Sequence, residues 1–267
     1  MSATDDHRED AMAGSVQVHP QNSVAITNVC EAQLRPLYIA SVGALGPGPG
    51  TRLLHVGCGT GTALELAAQS GAEVAGLDAS VDMLKVARDR LPDADLRVAD
   101  AAELPYDRGC FDQVMAFDAI QYTEPPAVAV AELARVTRPG GSVVIGLWHN
   151  WSGREASVFL NAVRRLVPAN AWDAQPVRDL YRLREVMVEA GLDVYASAEV
   201  TRRYDFASLD AAWQSMTSSP NVARAIDIVG MDAAHDIFLA NFGNQRRTDG
   251  SIQQDNLFQY AVGRATT

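Results

Sequence analysis

The sequence predicts an α/β fold built on a doubly wound, mainly parallel sheet. Between residues 53 and 148, short apolar runs of strand length alternate with segments of helical period. That alternation calls for parallel strands joined by crossover helices. The first apolar run, Leu53 to Val56, breaks into the glycines of Gly57-Cys58-Gly59-Thr60-Gly61 and then into Ala63-Leu64-Glu65-Leu66-Ala67-Ala68. This is a strand, a tight turn and a helix folded back on the sheet. The second and third strand runs each end in an aspartate, Asp78 and Asp100, at the rim where such sheets bind ligands.

In order, the core reads as strand 53–57, helix 62–70, strand 72–77, helix 80–91, strand 96–99, a loop with Pro105, strand 111–117, helix 126–137 and strand 142–148. Ser80 is an N-cap for the helix that carries Val81, Met83, Leu84 and Val86, and Pro92 ends it. Ahead of the core, residues 1–22 lack periodicity and are predicted to be a mobile tail. Residues 23–50 form a helical segment with an apolar stripe of Ile26, Val29, Cys30, Leu34, Leu37 and Tyr38, interrupted by Pro36. The proline- and glycine-rich run 46–50 links it to the core, taken as 51–149.

Beyond Trp148, residues 152–167 and 177–190 carry helical periodicity, and Gly191 stops the second helix. Residues 150–176 read as a helical insertion, 177–206 as a continuation of the core with a sixth strand over 194–206, and 207–245 as a second helical insertion. Residues 246–267 carry the last strand, at 257–262. Two helical insertions on one rim predict a cap that selects the substrate.

A chain of 267 residues suits one sizeable core with additions. With 22 basic and 33 acidic residues the formal charge is -11, which repels a phosphate backbone, so nucleic acid is not an expected partner. Cys30, Cys58 and Cys110 show no paired spacing and predict neither a disulfide framework nor a metal site. No apolar run approaches the roughly 18 residues of a membrane span, and the first residues are acidic and polar, so a cytoplasmic protein is expected. Monomer and homodimer both remain open.

The glycines at 57, 59 and 61, with Thr62 after them, spell G-x-G-x-G rather than the G-x-G-x-x-G of dinucleotide binders. Asp78, at the tip of the second strand, is placed to accept both hydroxyls of a ribose. The series from the glycine turn through Asp78, Asp100, the Phe111–Phe117 run and the Arg138-Pro139-Gly140-Gly141 turn resembles the class I S-adenosylmethionine-dependent methyltransferases. Within them it is most like the small-molecule branch related to the ubiquinone/menaquinone methyltransferases. The resemblance covers about residues 50 to 150 and implies a seven-stranded Rossmann-like sheet whose last strand is antiparallel. It also implies S-adenosylmethionine as cofactor, S-adenosylhomocysteine as product, and N-terminal helices folded over the cofactor.

On that basis the amides of Gly57, Gly59 and Gly61 are expected near the methionyl carboxylate, at a helix N-terminus. Cys58 lies within the same turn as a small packing residue. Asp100 is expected to accept from the adenine amino group while the Ala101 amide meets the ring; Ala79 and Met83 cover the adenine face. The Phe117 carbonyl is the expected partner of the methionyl ammonium. Asp118, Gln121 and Tyr122 occupy the substrate-facing loop, with Tyr38 and Trp148 completing the substrate contacts.

His149, at the tip of the fifth strand, is the candidate general base, its ordinary pKa of about 6.5 suiting that role. His55, within the first strand, is assigned to structure. The expected reaction is methyl transfer to a small, bulky, apolar acceptor, with oxygen favoured over carbon or nitrogen. Two alternatives stand beside it: a methyltransferase-fold enzyme that uses the bound cofactor without methylating, such as a cyclase, and a non-catalytic sensor of the cofactor. No P-loop motif and no G-x-S-x-G elbow occurs.

Overall fold

In the computed structural model, residues 20–149, 179–217 and 220–266 are described, together with 162, 165 and 177. Among these residues, side chains are described from Glu31 onward except at 32, 149, 220, 221, 223–225 and 244, where the backbone alone is described. The expected 152–167 helix and most of the 150–176 insertion lie outside these residues, as do the first 19.

Seven strands form one sheet: β1 (Arg52–Val56), β2 (Glu73–Asp78), β3 (Asp95–Val98), β4 (Phe111–Phe117), β5 (Thr137–His149), β6 (Leu192–Phe206) and β7 (Ile252–Ala265). Their order is β3-β2-β1-β4-β5-β7-β6. The strands β1 to β5 are mutually parallel, and β7 runs antiparallel to both β5 and β6. The chain order reverses between β1 and β4, the crevice where a doubly wound sheet takes its ligand.

Eight helices accompany the sheet among the described residues: α1 (Pro20–Leu45), α2 (Thr62–Ala68), α3 (Val81–Arg90), α4 (Pro126–Val136), α5 (Leu180–Glu189), α6 (Leu209–Thr217), α7 (Pro220–Val229) and α8 (Met231–Phe242). On one sheet face Leu54, Val56, Val114 and Ile145 pack with Leu133 of α4 and Leu183 and Met187 of α5. On the other, Leu53, Met115, Phe117 and Val144 pack with Leu37 and Tyr38 of α1, Leu64 of α2 and Leu84 of α3. Central strands covered on both faces read as continuous apolar runs, which is why β1 and β4 carry so few polar residues. Gly76 in β2 is fixed by this packing: a Cβ there would lie 2.6 Å from a methyl carbon of Leu64 and 3.0 Å from the sulfur of Cys58.

Three expected elements differ. The N-terminal helix continues through Pro36 rather than being interrupted there. The helical run 209–242 is three helices, the last two separated at Gly230, whose φ of 89° is costly for residues with a Cβ. The last strand begins at Ile252, five residues before the expected start, and residues 252–256 pair with β6 alone, past the end of β5. That two-stranded arm carries Ile252 into a third core with Ala212, Val222, Phe238 and Phe242 of α6 to α8, against which Trp148 also packs. The cap is thus seated on the carboxyl-end rim of the sheet.

Candidate active site

The glycine turn is built to be tight. Gly57, Gly59 and Gly61 all have positive φ, at 71°, 55° and 87°. A Cβ on Gly57 would sit 2.5 Å from Cβ of Ala119, so the loop after β4 rests directly on the turn. The turn's amides, however, are not free. Gly57 and Cys58 both donate to the Leu77 carbonyl at 2.9 Å, Gly61 donates to the Cys58 carbonyl at 2.9 Å, and Gly59 donates to Oδ2 of Asp78 at 2.9 Å. These bonds organise the turn itself. With seven residues, α2 also offers little dipole.

The anion that α2 does receive comes from the chain. Glu31 of α1, 6% exposed, accepts from the Thr60 amide at 2.8 Å and from the hydroxyls of Thr60 and Thr62. Arg90 of α3 hydrogen-bonds to Thr62 and lies 3.9 Å from Glu31. Sequence reasoning missed this clasp. The signal was an acid at helical spacing with Leu34 and Tyr38, on the buried stripe of α1.

Asp78 ends β2 with Oδ1 accepting from the Ser80 amide and Oδ2 from the Gly59 amide, both at 2.9 Å. Burial pushes its carboxyl above the ordinary carboxylate range, and the two amides work in the opposite sense. A carboxylate offers about four acceptor positions, so two remain for hydroxyl groups. Ser80 caps α3 by accepting from the Met83 amide, which sets Ala79 and Met83 beside Asp78. Asp100 is exposed; its Oδ1 accepts from the Ala102 amide at 2.8 Å, and Ala101 packs against the core below.

At the tip of β4, Phe117 turns its ring into the core against Tyr38 and His55, with centroids at 5.1 and 5.3 Å. His55 is 2% exposed with neither ring nitrogen hydrogen-bonded, and burial pushes its pKa down to about 3. Cys58 is buried and free, its thiol pushed far up, chiefly by burial, which suits the packing assignment. Asp118 follows with φ 46°, the only positive φ at a non-glycine among the described residues. Its Oδ1 accepts from the Trp148 amide and from Gln121, each at 3.1 Å. The Trp148 indole donates to Oδ1 of Asn256 at 3.2 Å, which joins β4, β5 and the β7 arm in one polar chain. Tyr122 is largely exposed, and Tyr38 is buried in α1. The backbone of His149 pairs with Leu257, one residue beyond Trp148. Among the described residues no cluster of His, Cys, Asp or Glu could hold a metal ion, and no helix is long and apolar enough to cross a membrane.

A glycine turn with positive φ at three positions and no room for a Cβ at Gly57, followed by an acid with two open acceptor positions, fits a nucleoside donor lying across the first three strand tips. A methyltransferase domain model matches residues 54–145. A demethylmenaquinone methyltransferase of Renibacterium salmoninarum is 36% identical over 168 residues, covering 62% of this chain and 71% of that protein. Three further demethylmenaquinone methyltransferases are spanned over 58%, 53% and 45% of their own lengths.

Two solved structures share the fold. They are the [4+2]-cyclase SpnF (TM-score 0.56, 19% identity, 85% of this chain and 80% of that one) and phosphoethanolamine N-methyltransferase 2 of Haemonchus contortus in complex with S-adenosylmethionine (TM-score 0.53, 19% identity, 86% and 52%). The chain belongs to the class I S-adenosylmethionine-dependent methyltransferases. Within that class it is similar to the demethylmenaquinone methyltransferases, and its cofactor is S-adenosylmethionine.

Proposed function

We propose that this methyltransferase acts on a small organic acceptor, bulky and largely apolar, held between the strand tips and the helical cap, with oxygen the favoured acceptor atom. The observation that carries the reading is the seat of the cap: the buried core of α6 to α8 and Ile252 of the β7 arm packs against Trp148, at the rim beside Asp118. Apolar walls with a few fixed polar groups suit such a ligand. The similarity to demethylmenaquinone methyltransferases, whose name specifies a quinone, supports a bicyclic or otherwise extended acceptor. Neither a nucleic acid nor a membrane-embedded acceptor is proposed.

When bound, the donor supplies a methyl group on a sulfonium that is already activated for displacement. The chain's task is then placement. In this reading Asp78 accepts the ribose hydroxyls, Asp100 and Ala101 hold the adenine, Ala79 and Met83 cover its face, and the Phe117 carbonyl faces the methionyl ammonium. Gly57, Cys58, Gly59 and Gly61 contribute close backbone approach. Glu31 ties α1 down as the lid, while Tyr38, Gln121, Tyr122 and Trp148 orient the acceptor. In-line placement alone accounts for much of the acceleration such a reaction needs. For a protonated acceptor a base is also required, and His149 and Asp118 are the two candidates at this end of the sheet.

Calorimetry with S-adenosylmethionine, followed by incubation of labelled donor with a broad acceptor panel, tests the reading through release of S-adenosylhomocysteine. Absence of binding refutes it. The fold shared with a [4+2]-cyclase favours one second reading, conversion of an acceptor with the donor's methyl group retained. The same assay separates the two.

A further inference from the structure

We infer that Asp118 is the general base of the transfer, taking the acceptor's proton on Oδ2. The inference rests on the methyl-transfer reading above and goes beyond it by assigning the proton. Three observations place Asp118 in this role. Its backbone adopts φ 46°, in the left-handed region that few residues with a Cβ occupy and aspartate enters more readily than most. The side chain is held as well: the Trp148 amide and Gln121 both bind Oδ1, at 3.1 Å each. Among the described residues no donor reaches Oδ2.

The second observation is Gln121. Its Oε1 is buried without a hydrogen-bond partner, although its nitrogen is used on Asp118. An unpaired buried acceptor costs roughly 1–3 kcal/mol in general. With no described donor on Asp118 Oδ2 either, the loop after β4 has acceptors to spare and lacks a donor. An acceptor molecule bearing O–H or N–H supplies one; an acceptor of hydrogen bonds alone does not. The third is position. Ala119 lies against Gly57, so Asp118 stands one residue from the contact between the β4 loop and the glycine turn, at the β1/β4 crevice.

The step balances simply. The acceptor heteroatom forms its bond to the methyl carbon as the carbon–sulfur bond breaks, and that electron pair leaves on sulfur. The heteroatom's proton passes to Oδ2, and the resulting carboxylic acid returns it to solvent after product leaves. Burial favours this, holding the carboxyl above its ordinary range while the Trp148 amide and Gln121 pull it down. A carboxylate whose pKa is raised by burial is a stronger base than an exposed one. Around it stand Gln121 and Tyr122 from its own loop and Trp148 from β5; the neighbouring titratable residue on β5 is His149.

The decisive variant is D118N on the full chain. Asparagine tolerates positive φ and its carbonyl can still accept from Trp148 and Gln121, so the fold is kept while the base is removed. With 1,4-naphthalenediol as probe acceptor and labelled S-adenosylmethionine, turnover should fall about 100-fold or more at unchanged donor affinity by calorimetry. Formate should restore part of the rate in D118A, which a merely structural role would not allow. Turnover of D118N within threefold of the parent overturns the inference.

A second measurement needs no acceptor. In protein labelled at the aspartate carboxyl carbons and saturated with S-adenosylhomocysteine, the resonance missing from D118N should titrate above the ordinary aspartate value of about 4. A midpoint at or below the ordinary value of about 4 overturns the inference. Absence of binding to either form of the cofactor would instead remove the methyltransferase reading, so the two failures are distinguishable.

Discussion

Replacing His55 with leucine should make the protein less sensitive to acid by an amount that can be worked out in advance. The imidazole lies in β1 against the Phe117 ring, with both nitrogens unpartnered, and burial lowers its pKa to about 3 from an ordinary 6.5. The unfolded chain therefore takes up a proton as pH falls through 6.5, and the folded chain does not until pH approaches 3. The stability of the folded state is full above 6.5 and lost as pH falls between those values, by about 1.4 kcal/mol per unit. From pH 7.5 to pH 5 the loss comes to about 2 kcal/mol. H55L should lack it and should gain about 1–2 kcal/mol even at neutral pH, since no polar atom is left buried and unpaired. Asp78 and Asp118 titrate in the opposite sense, their carboxyls being raised by burial, but both are present in parent and variant and cancel in the difference. Urea unfolding of both proteins at the two pH values gives the quantity directly. Parallel pH dependence of parent and H55L would show that the imidazole finds a partner or water in solution, and the reasoning would fall. The functional consequence is that a neutral His55 adds no positive charge near the strand tips, where the proposed reading puts a cationic donor.

Other perturbations follow from the turn. G57A should cost about 2–3 kcal/mol of stability and most of the donor affinity, because φ is 71° and the new Cβ would lie 2.5 Å from Ala119; thermal unfolding and calorimetry read both. D78N should lower donor affinity by about 10- to 100-fold, the worth of hydrogen bonds to a charged group, as measured by calorimetry. E31A should cost about 3 kcal/mol, since the Thr60 amide and two threonine hydroxyls lose a buried acceptor. Hydrogen exchange at residues 60–62 should speed up in that variant, and unchanged exchange would show that Glu31 does not hold the turn.

The central strands β1 and β4 were legible because they are buried on both faces, so that strand bounds at 111–117 could be read from apolar runs alone. The edges were less so. Residues 252–256 of β7 carry Gln254 and Asn256, two amides that read as loop yet are buried, because the cap covers them. The position of Asp78 at a strand tip was readable from order, but its two amide bonds were not, since they join residues 19 apart and 2 apart through the shape of the turn. Glu31 was hidden for the same reason: its partners lie 29 and 31 residues away. Spacing indicates which face of a helix a residue occupies, not what that face meets.

The internal bonding of the turn separates two kinds of site residue. Gly57, Gly59 and Asp78 are tied into hydrogen bonds or contacts that exist without a ligand, so variants there must move stability and affinity together. Asp100 is different. It is exposed and holds one side-chain bond, to the Ala102 amide, in a loop rather than between elements. D100A should therefore shift the urea midpoint by no more than an ordinary surface change, about 0.5 kcal/mol, or about 1 if that bond matters. Its donor affinity should still fall by about 10-fold, because a base recognised by one carboxylate and one backbone amide loses half its polar contacts. Urea melts and calorimetry on the same preparation decide the matter. Equal affinity of D100A and the parent for S-adenosylmethionine would mean that the third strand tip does not meet the adenine, and the orientation of the donor across the sheet would have to be redrawn.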